Sequence, residues 1–291
     1  MWHRGCHIKN DRMKIPPVSD NAIADLLNVA RDLRDKNGGC PWDIEQTHQS
    51  LAKHVLEEAS ELVEVIERGV GGENDADLKE ELGDVLFQVV IHAQLAEEEA
   101  RFSFQDVARA IADKLVTRHP HVYGDLSVGD SATVLRNWEA IKARERNKKA
   151  GHANAGKVSY LDGVPKILAG LQRAARLGEK AARLGFDWPA GEAGLKAVRE
   201  KVDEELAELE SARAESLQRS EEEMGDLLFA LAQYSRLLGI DPEGALRKAC
   251  GKFETRFRSM EKDLAAPLAT GERVSIETWN EAWEKAKQNQ R

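Results

Sequence analysis

Four acidic side chains supply the first chemistry in this chain. Glu58 and Glu61 lie three residues apart, and so do Glu81 and Asp84. Each pair therefore shares one face of a helix. Two such helices packed together would bring four carboxylates to one point. Glu58 sits among Leu51, Val55, Leu62 and Ile66, an apolar stripe at helical spacing. A carboxylate on a buried stripe is costly unless it is paired or binds a metal. Residues Val85 to Ile91 read Val-Leu-Phe-Gln-Val-Val-Ile, apolar almost all round, which predicts a buried helix. Acidic groups at the head of such a helix need a cation.

The pattern returns downstream. Glu57-Glu58-x-x-Glu61 matches Glu204-Glu205-x-x-Glu208, and Glu81-Leu-Gly-Asp84 matches Glu223-Met-Gly-Asp226. Lys114-Leu-Val-Thr-Arg118 matches Lys252-Phe-Glu-Thr-Arg256, and Trp138-Glu139-x-x-Lys142 matches Trp283-Glu284-x-x-Lys287. Four landmarks in one order indicate a duplication. Taken singly, Glu-Glu-x-x-Glu is an ordinary solvated helix face. Coupled to E-x-x-D before an apolar helix, and repeated, it reads as a cation site.

Such carboxylates suit a hard cation, Mg²⁺ or Mn²⁺. Mg²⁺ usually meets substrate phosphates, so carboxylates with basic partners imply a phosphorylated ligand. Lys252 and Arg256 stand one helical turn apart, and Lys201 stands one turn before Glu205. Arg binds phosphate bidentately, while Lys acts as a point charge. Trp283 is either a flat platform for a base or a core anchor. His119 and His121 flank a proline and read as a helix-ending turn. Cys40 lacks an activating neighbour and reads as a small buried residue. Glu45-x-x-His48 alone is weak support for a di-iron bundle, which would need two such pairs.

Helices must position these groups. One is expected over Asn21 to Lys36, ended by Asn37-Gly38-Gly39, with Cys40-Pro41-Trp42-Asp43 as a loop. Thr47 or Ser50 caps the next, which runs to about Arg68 and breaks at Gly69 to Gly72. Asp75 or Asp77 opens the apolar helix, which continues to about Glu99. Ser103 caps another, which ends before His119-Pro120-His121, and Asp130 or Ser131 opens one through Trp138 and Lys142. In the second half, helices are expected over Pro165 to Leu184, Gly194 to Ala212, Glu221 to Leu238, Asp241 to Leu264 and Ser275 to Lys287. No period-2 run occurs, so the class is all-α. The expected division is an extension over residues 1–17, a helical domain over 18–146, a linker over 147–160 and a second domain over 161–291.

Composition removes other classes. A formal charge of −9 over 291 residues argues against a nucleic-acid binder. Cys6, Cys40 and Cys250 are odd in number and show no C-x-x-C, which fits free thiols in a reducing, cytoplasmic setting. No apolar run approaches a membrane span, and the N-terminus lacks the apolar core of a signal peptide. The rival to an enzyme is a non-catalytic helical module that uses an acidic surface for partners.

These motifs resemble the MazG family of nucleoside triphosphate pyrophosphohydrolases, whose pattern is E-E-x-x-E, a spacer, then E-x-x-D. Also similar are Cys40-Pro-Trp-Asp-x-x-Gln46-Thr-His48, Arg118-His-Pro-His-Val, Gly185-Phe-Asp-Trp, Lys201-Val-Asp-Glu-Glu205 and Lys252-Phe-Glu-Thr-Arg256. The likeness spans about Asn21 to Lys287. It implies an all-α tandem repeat with four-helix cores completed by a homodimer. It implies hydrolysis of nucleoside triphosphates between the α- and β-phosphates, giving a monophosphate and pyrophosphate. The implied Mg²⁺ ligands are Glu205, Glu208, Glu223 and Asp226, with first-repeat counterparts Glu58, Glu61, Glu81 and Asp84. The implied nucleotide contacts are Lys201, Val202, Asp203, Glu204 and Glu205, then Arg219, Ser220, Glu221 and Glu222, then Lys252, Phe253, Glu254, Thr255 and Arg256, and Trp283. In the implied mechanism a metal-activated water attacks phosphorus while Lys252 and Arg256 neutralise charge. Glu205 belongs to that catalytic set, and Glu204 serves as base or outer-shell ligand, with Glu57 its first-repeat counterpart. By analogy the second repeat ranks first as the catalytic one.

Overall fold

The computed structural model describes residues 14–126, 129–130, 133–134, 137–138, 141, 145, 159–270 and 273–289. The chain divides into two compact units, Met1–Arg146 and Asn147–Arg291. Among the described residues every regular element is a helix and none is a strand, so the chain is all-α as its sequence predicts. No helix among them is long and apolar enough to cross a membrane. Residues 1–13, most of the expected linker, and Glu139 and Lys142 of the fourth landmark lie outside the described residues.

Unit 1 contains α1 (Ala22–Leu33), α2 (Pro41–Glu45), α3 (His48–Arg68), a 3₁₀ turn (Gly72–Asn74), α4 (Asp75–Glu98), α5 (Phe104–Arg118) and α6 (Pro120–Tyr123). Local chemistry sets these limits. Thr47 and Ser50 form a reciprocal capping box on α3, and Ser103 and Asp106 form one on α5. Gly69, at φ 103°, ends α3 in a conformation that L side chains rarely adopt. Helix α3 packs along α4 around Leu51, Ile91 and Leu95, with Phe87 against them. Arg34 joins the ends of three helices by bonding Glu98 at 2.7 Å and the Asp43 carbonyl.

Several boundaries differ from the sequence reading. Helix α1 stops at Leu33, short of Lys36, and a turn follows in which Gly39 N–H donates to Asp35 O at 2.7 Å. The Cys40–Asp43 stretch is the start of α2 and not a loop. Pro41 occupies the first helical position, where its missing N–H costs nothing. Pro120 likewise starts the single turn α6 beyond the end of α5. Lys14, inside the expected extension, bonds Asp32 at 2.9 Å and Asp35 at 2.8 Å. Helix α4 is not buried all round: Gln88, Val90 and Ile91 face inward, while Leu82 and Val89 face out. The apolar run is satisfied on one side only.

Unit 2 contains α7 (Gly170–Ala182), α8 (Glu192–Ala212), α9 (Leu217–Leu237), α10 (Pro242–Asp263), α11 (Ala265–Thr270) and α12 (Ile276–Gln288). Helix α9 begins a turn earlier than expected because the Ser216 side chain accepts from Arg219 N–H. Helix α7 begins later, leaving Pro165 to Ala169 outside it. Asp241 caps α10, with Pro242 at its first position. Helix α8 packs along α9, and α9 crosses to α7 through buried Gln233, which donates to Ala174 O at 2.8 Å. Helices α10 and α12 close on a core of Met260, Leu264, Ala282 and Ala286.

Candidate metal centre

In unit 1 the antiparallel partners α3 and α4 do what the spacing demands. One oxygen each from Glu58, Glu61 and Glu81 lies within 4.8 Å of the others. Glu58 and Glu81 are half-buried, and Glu61 is exposed. Glu81 Oε2 is enclosed and has no hydrogen-bond partner among the described residues. The basic groups nearby look elsewhere. His54, one turn before Glu58, bonds Glu57 at 2.7 Å, and Arg68 approaches Asp77 at 3.7 Å. Burial is the main cause that pushes the Glu58 and Glu81 carboxyls up. The charge of Asp84 comes next for Glu58, and that of Glu61 comes next for Glu81. Asp84 is exposed and outside the closest trio, but its charge reaches both glutamates.

Unit 2 repeats the trio with Glu205 and Glu208 on α8 and Glu223 on α9, again within 4.8 Å. Its setting differs. Glu205 and Glu223 are each only 5% exposed. Lys201 Nζ stands 2.7 Å from Glu205 and 3.0 Å from Glu204, and these bonds raise its ammonium pKa, Glu205 first. Arg219 bonds Glu223 and reaches Glu222 at 2.7 Å. Burial, then the charges of Glu205 and Glu223, push the Glu208 carboxyl up. Asp226 is exposed and outside the closest trio.

The remaining sequence-predicted residues fall as follows. Glu204 is exposed and held by Lys201. Asp203 is paired with Arg199 at 3.1 Å, Val202 is half-buried and Glu221 is exposed. Ser220 Oγ donates to the Ser216 carbonyl within its own helix. On α10, Lys252 is exposed, Glu254 pairs with Arg258 at 3.2 Å, and Thr255 Oγ1 donates to Gly251 O. The Arg256 guanidinium lies 5.4 Å from the Trp283 ring centroid, and the Phe253 ring is 5.6 Å from it. Trp283 also packs on the core of α10 and α12.

The cations paired with the trio of unit 2 are thus Lys201 and Arg219, both among the nucleotide contacts that the resemblance implies. The signal for Arg219 was available: it stands four residues before Glu223, as Lys201 stands four before Glu205. His48, weighed in a di-iron pattern, bonds His92 at 2.7 Å and Arg101 at 2.6 Å instead. Asp187 of the Gly-Phe-Asp-Trp phrase is bonded by Arg236, which holds its carboxyl low, so that residue is structural.

Both trios offer only carboxylate oxygens, the donor set of a hard divalent cation. The enclosed, unpartnered Glu81 Oε2 is the atom such an ion would satisfy. The residues fit the group.

Comparison with known proteins bears on what that ion would serve. Residues 46–123 match the MazG nucleotide pyrophosphohydrolase domain. The chain is 44% identical over 270 residues to a nucleoside triphosphate pyrophosphohydrolase of Escherichia coli (strain K12), covering 93% of this chain and 98% of that one. It is 44% identical over 263 residues to the nucleoside triphosphate pyrophosphohydrolase/pyrophosphatase MazG of Thermotoga maritima, covering 90% and 94% of the two chains.

Proposed function

The chain belongs to the MazG family of nucleoside triphosphate pyrophosphohydrolases, and from that membership we propose how its two carboxylate trios act. It is an enzyme that hydrolyses a phosphoric anhydride of a nucleoside triphosphate. Cleavage falls between the α- and β-phosphates, with Mg²⁺ as the resident ion and Mn²⁺ as a substitute. The observation that carries this reading is the meeting of three glutamates from two packed helices within 4.8 Å.

The residues that would hold Mg²⁺ are Glu205, Glu208, Glu223 and Asp226 in unit 2, and Glu58, Glu61, Glu81 and Asp84 in unit 1. Such an ion supplies charge neutralisation on phosphate oxygens and acidification of water. The protein's own groups do the rest. Lys201 and Arg219 leave their carboxylates for phosphate oxygens when substrate arrives, so charge stays balanced. Lys252 and Arg256 take the outer phosphates as negative charge grows. Glu204, exposed beside Lys201, accepts a proton from the attacking water or orients it. The Trp283 ring faces the base, and the segments Lys201 to Glu205, Arg219 to Glu222 and Lys252 to Arg256 line the nucleotide.

Unit 2 is the catalytic repeat of a duplicated chain on this reading. Its support is the pair of cations already on the carboxylates. The working form is a cytoplasmic homodimer. Exposed Leu56, Ile66 and Leu82 on α3 and α4 support an apolar face that a second copy covers, and free Cys40 and Cys250 fit a reducing compartment. Pyrophosphate release from a panel of nucleoside triphosphates tests the assignment. Glu205→Ala or Asp226→Ala abolishes the Mg²⁺-dependent activity, and Glu58→Ala leaves it. Activity that survives the first two and vanishes with the third moves catalysis to unit 1.

A further inference from the structure

Between α7, α9 and α10 of unit 2 lies a cavity of about 490 Å³. Small-molecule pockets usually measure roughly 300–1,000 Å³. Leu171 and Leu177 of α7, Leu228 and Phe229 of α9 and Leu246 of α10 make its walls mainly apolar. None of the residues that line it belongs to the carboxylate trio or to the nucleotide segments described above.

Two opposite charges interrupt the apolar lining. Arg173 and Glu243 both line the cavity, and both are half-buried. They form no ion pair with each other, and neither side chain has an ionic partner among the described residues. Arg173 Nε is enclosed and has no hydrogen-bond partner among those residues. An enclosed donor without an acceptor is destabilising, and native structures keep few of them. At a cavity wall, a ligand can supply the missing acceptor.

The lining sets three demands on that ligand. An anion must reach Arg173, whose planar fork suits a carboxylate. A cation must reach Glu243. An apolar body must cover the leucines and Phe229. A fatty acid lacks the cation, and an apolar amine lacks the anion. We infer that this cavity binds a free α-amino acid with an apolar side chain, its carboxylate on Arg173 and its ammonium on Glu243, and acts as an effector site for unit 2. The route to the trio is short. Gly225 lines the cavity and stands on α9 between Glu223 and Asp226, so an occupant touches the turn that carries both acids. The effector role rests on the reading that those acids hold the resident ion; the binding itself does not. The site is particular to unit 2. With Lys114 set against Lys252, Gln105 and Ala108 stand where unit 2 has Glu243 and Leu246.

The test titrates the full chain by calorimetry with L-leucine, L-isoleucine, L-valine and L-phenylalanine. At least one binds with a Kd below about 1 mM. Its amide lacks the carboxylate and its N-acetyl derivative lacks the ammonium, and each binds at least about tenfold weaker. Arg173→Met and Glu243→Gln weaken the amino acid by a similar factor. The two derivatives probe both charges on the unaltered protein, so the result stands even where a variant fails to fold. Saturating amino acid changes Mg²⁺-dependent pyrophosphate release about fivefold, and Glu243→Gln abolishes that response. Absence of binding by all four amino acids overturns the site. An N-acetyl form or an amide that binds as well as the parent makes the cavity a reader of peptide C-termini or N-termini and overturns the free amino acid. Binding that leaves pyrophosphate release unchanged overturns the effector role. Calorimetry reads binding whether or not the trio holds an ion, so a failed metal reading is told apart from a failed site. If binding is absent and Leu246→Glu splits an oligomer in light scattering, the cavity is an interface between copies and the inference falls.

Discussion

Lys201 Nζ lies 2.7 Å from Glu205, one helical turn away, whereas the residue one turn before Glu58 is His54, bonded to Glu57. The two trios therefore meet a cation in different states. In unit 2 an incoming ion competes with Lys201 and Arg219; in unit 1 it meets carboxylates that repel one another. Without nucleotide, the tighter Mn²⁺ site belongs to unit 1. Titration followed by electron paramagnetic resonance should lose that site with Glu81→Gln and keep it with Glu223→Gln. Lys201→Met should tighten the weaker site a few-fold while turnover falls, because the same lysine serves the phosphate. A weaker site that stays unchanged in Lys201→Met would detach the ion pair from metal binding.

Glu81 gives a pH prediction. Its carboxyl is pushed above the ordinary value of 4.5, first by burial and then by Glu61, Asp84 and Glu58. A carboxyl raised in the fold holds its proton more firmly there than in the unfolded chain. Its cost to stability is absent below the unfolded pKa, grows as pH rises through it, and is complete above the raised value. Glu81→Gln should raise the melting temperature of the metal-free protein at pH 7, with the gain shrinking as pH falls toward 4.5. The same variant should reduce the melting-temperature rise caused by Mg²⁺. Thermal melts at two pH values, with and without Mg²⁺, check both signs.

Much of this was legible in the sequence because helical periodicity and caps are local. The spacing of Glu58 and Glu61 fixes a shared helix face whatever surrounds it, and Thr47 and Ser103 announce their helices. The end of α5 before His119 was legible, but the short helices that Pro41 and Pro120 start were read as a loop and a turn, because four or five residues carry no periodicity. Gln88 was visible as the one polar residue between Val85 and Ile91, but its unpaired oxygen is a fact of packing. The pairing of Arg219 with Glu223 obeys a four-residue rule, yet choosing it over Glu215, another acid four residues away, requires the fold.

Gly178 on α7 is a packing prediction. A Cβ there would stand 1.7 Å from Gln233 Oε1. Gln233 is 1% exposed, donates to Ala174 O at 2.8 Å and accepts from Arg236 Nε at 2.9 Å, so its amide has nowhere to go. Alanine gains about 1 kcal/mol in a helix over glycine. Overpacking and broken buried hydrogen bonds cost about 3 kcal/mol. The cost wins, and Gly178→Ala should destabilise by about 2 kcal/mol in urea. Added to Gln233→Ala, the same change should be neutral or stabilising, because the clash is gone.

Trp283 separates a structural role from a functional one. Its ring packs on the α10–α12 core and also lies under Arg256 and beside Phe253. Trp283→Ala removes a core anchor and should cost about 3 kcal/mol of stability, lowering activity only because the fold weakens. Trp283→Phe keeps apolar volume and a ring face, so the melting temperature should stay within a few degrees. A ring that also meets the base loses stacking area in that variant, so KM should rise with kcat unchanged. An unchanged KM in the folded Trp283→Phe protein would assign the tryptophan to the core alone and leave base recognition to other residues.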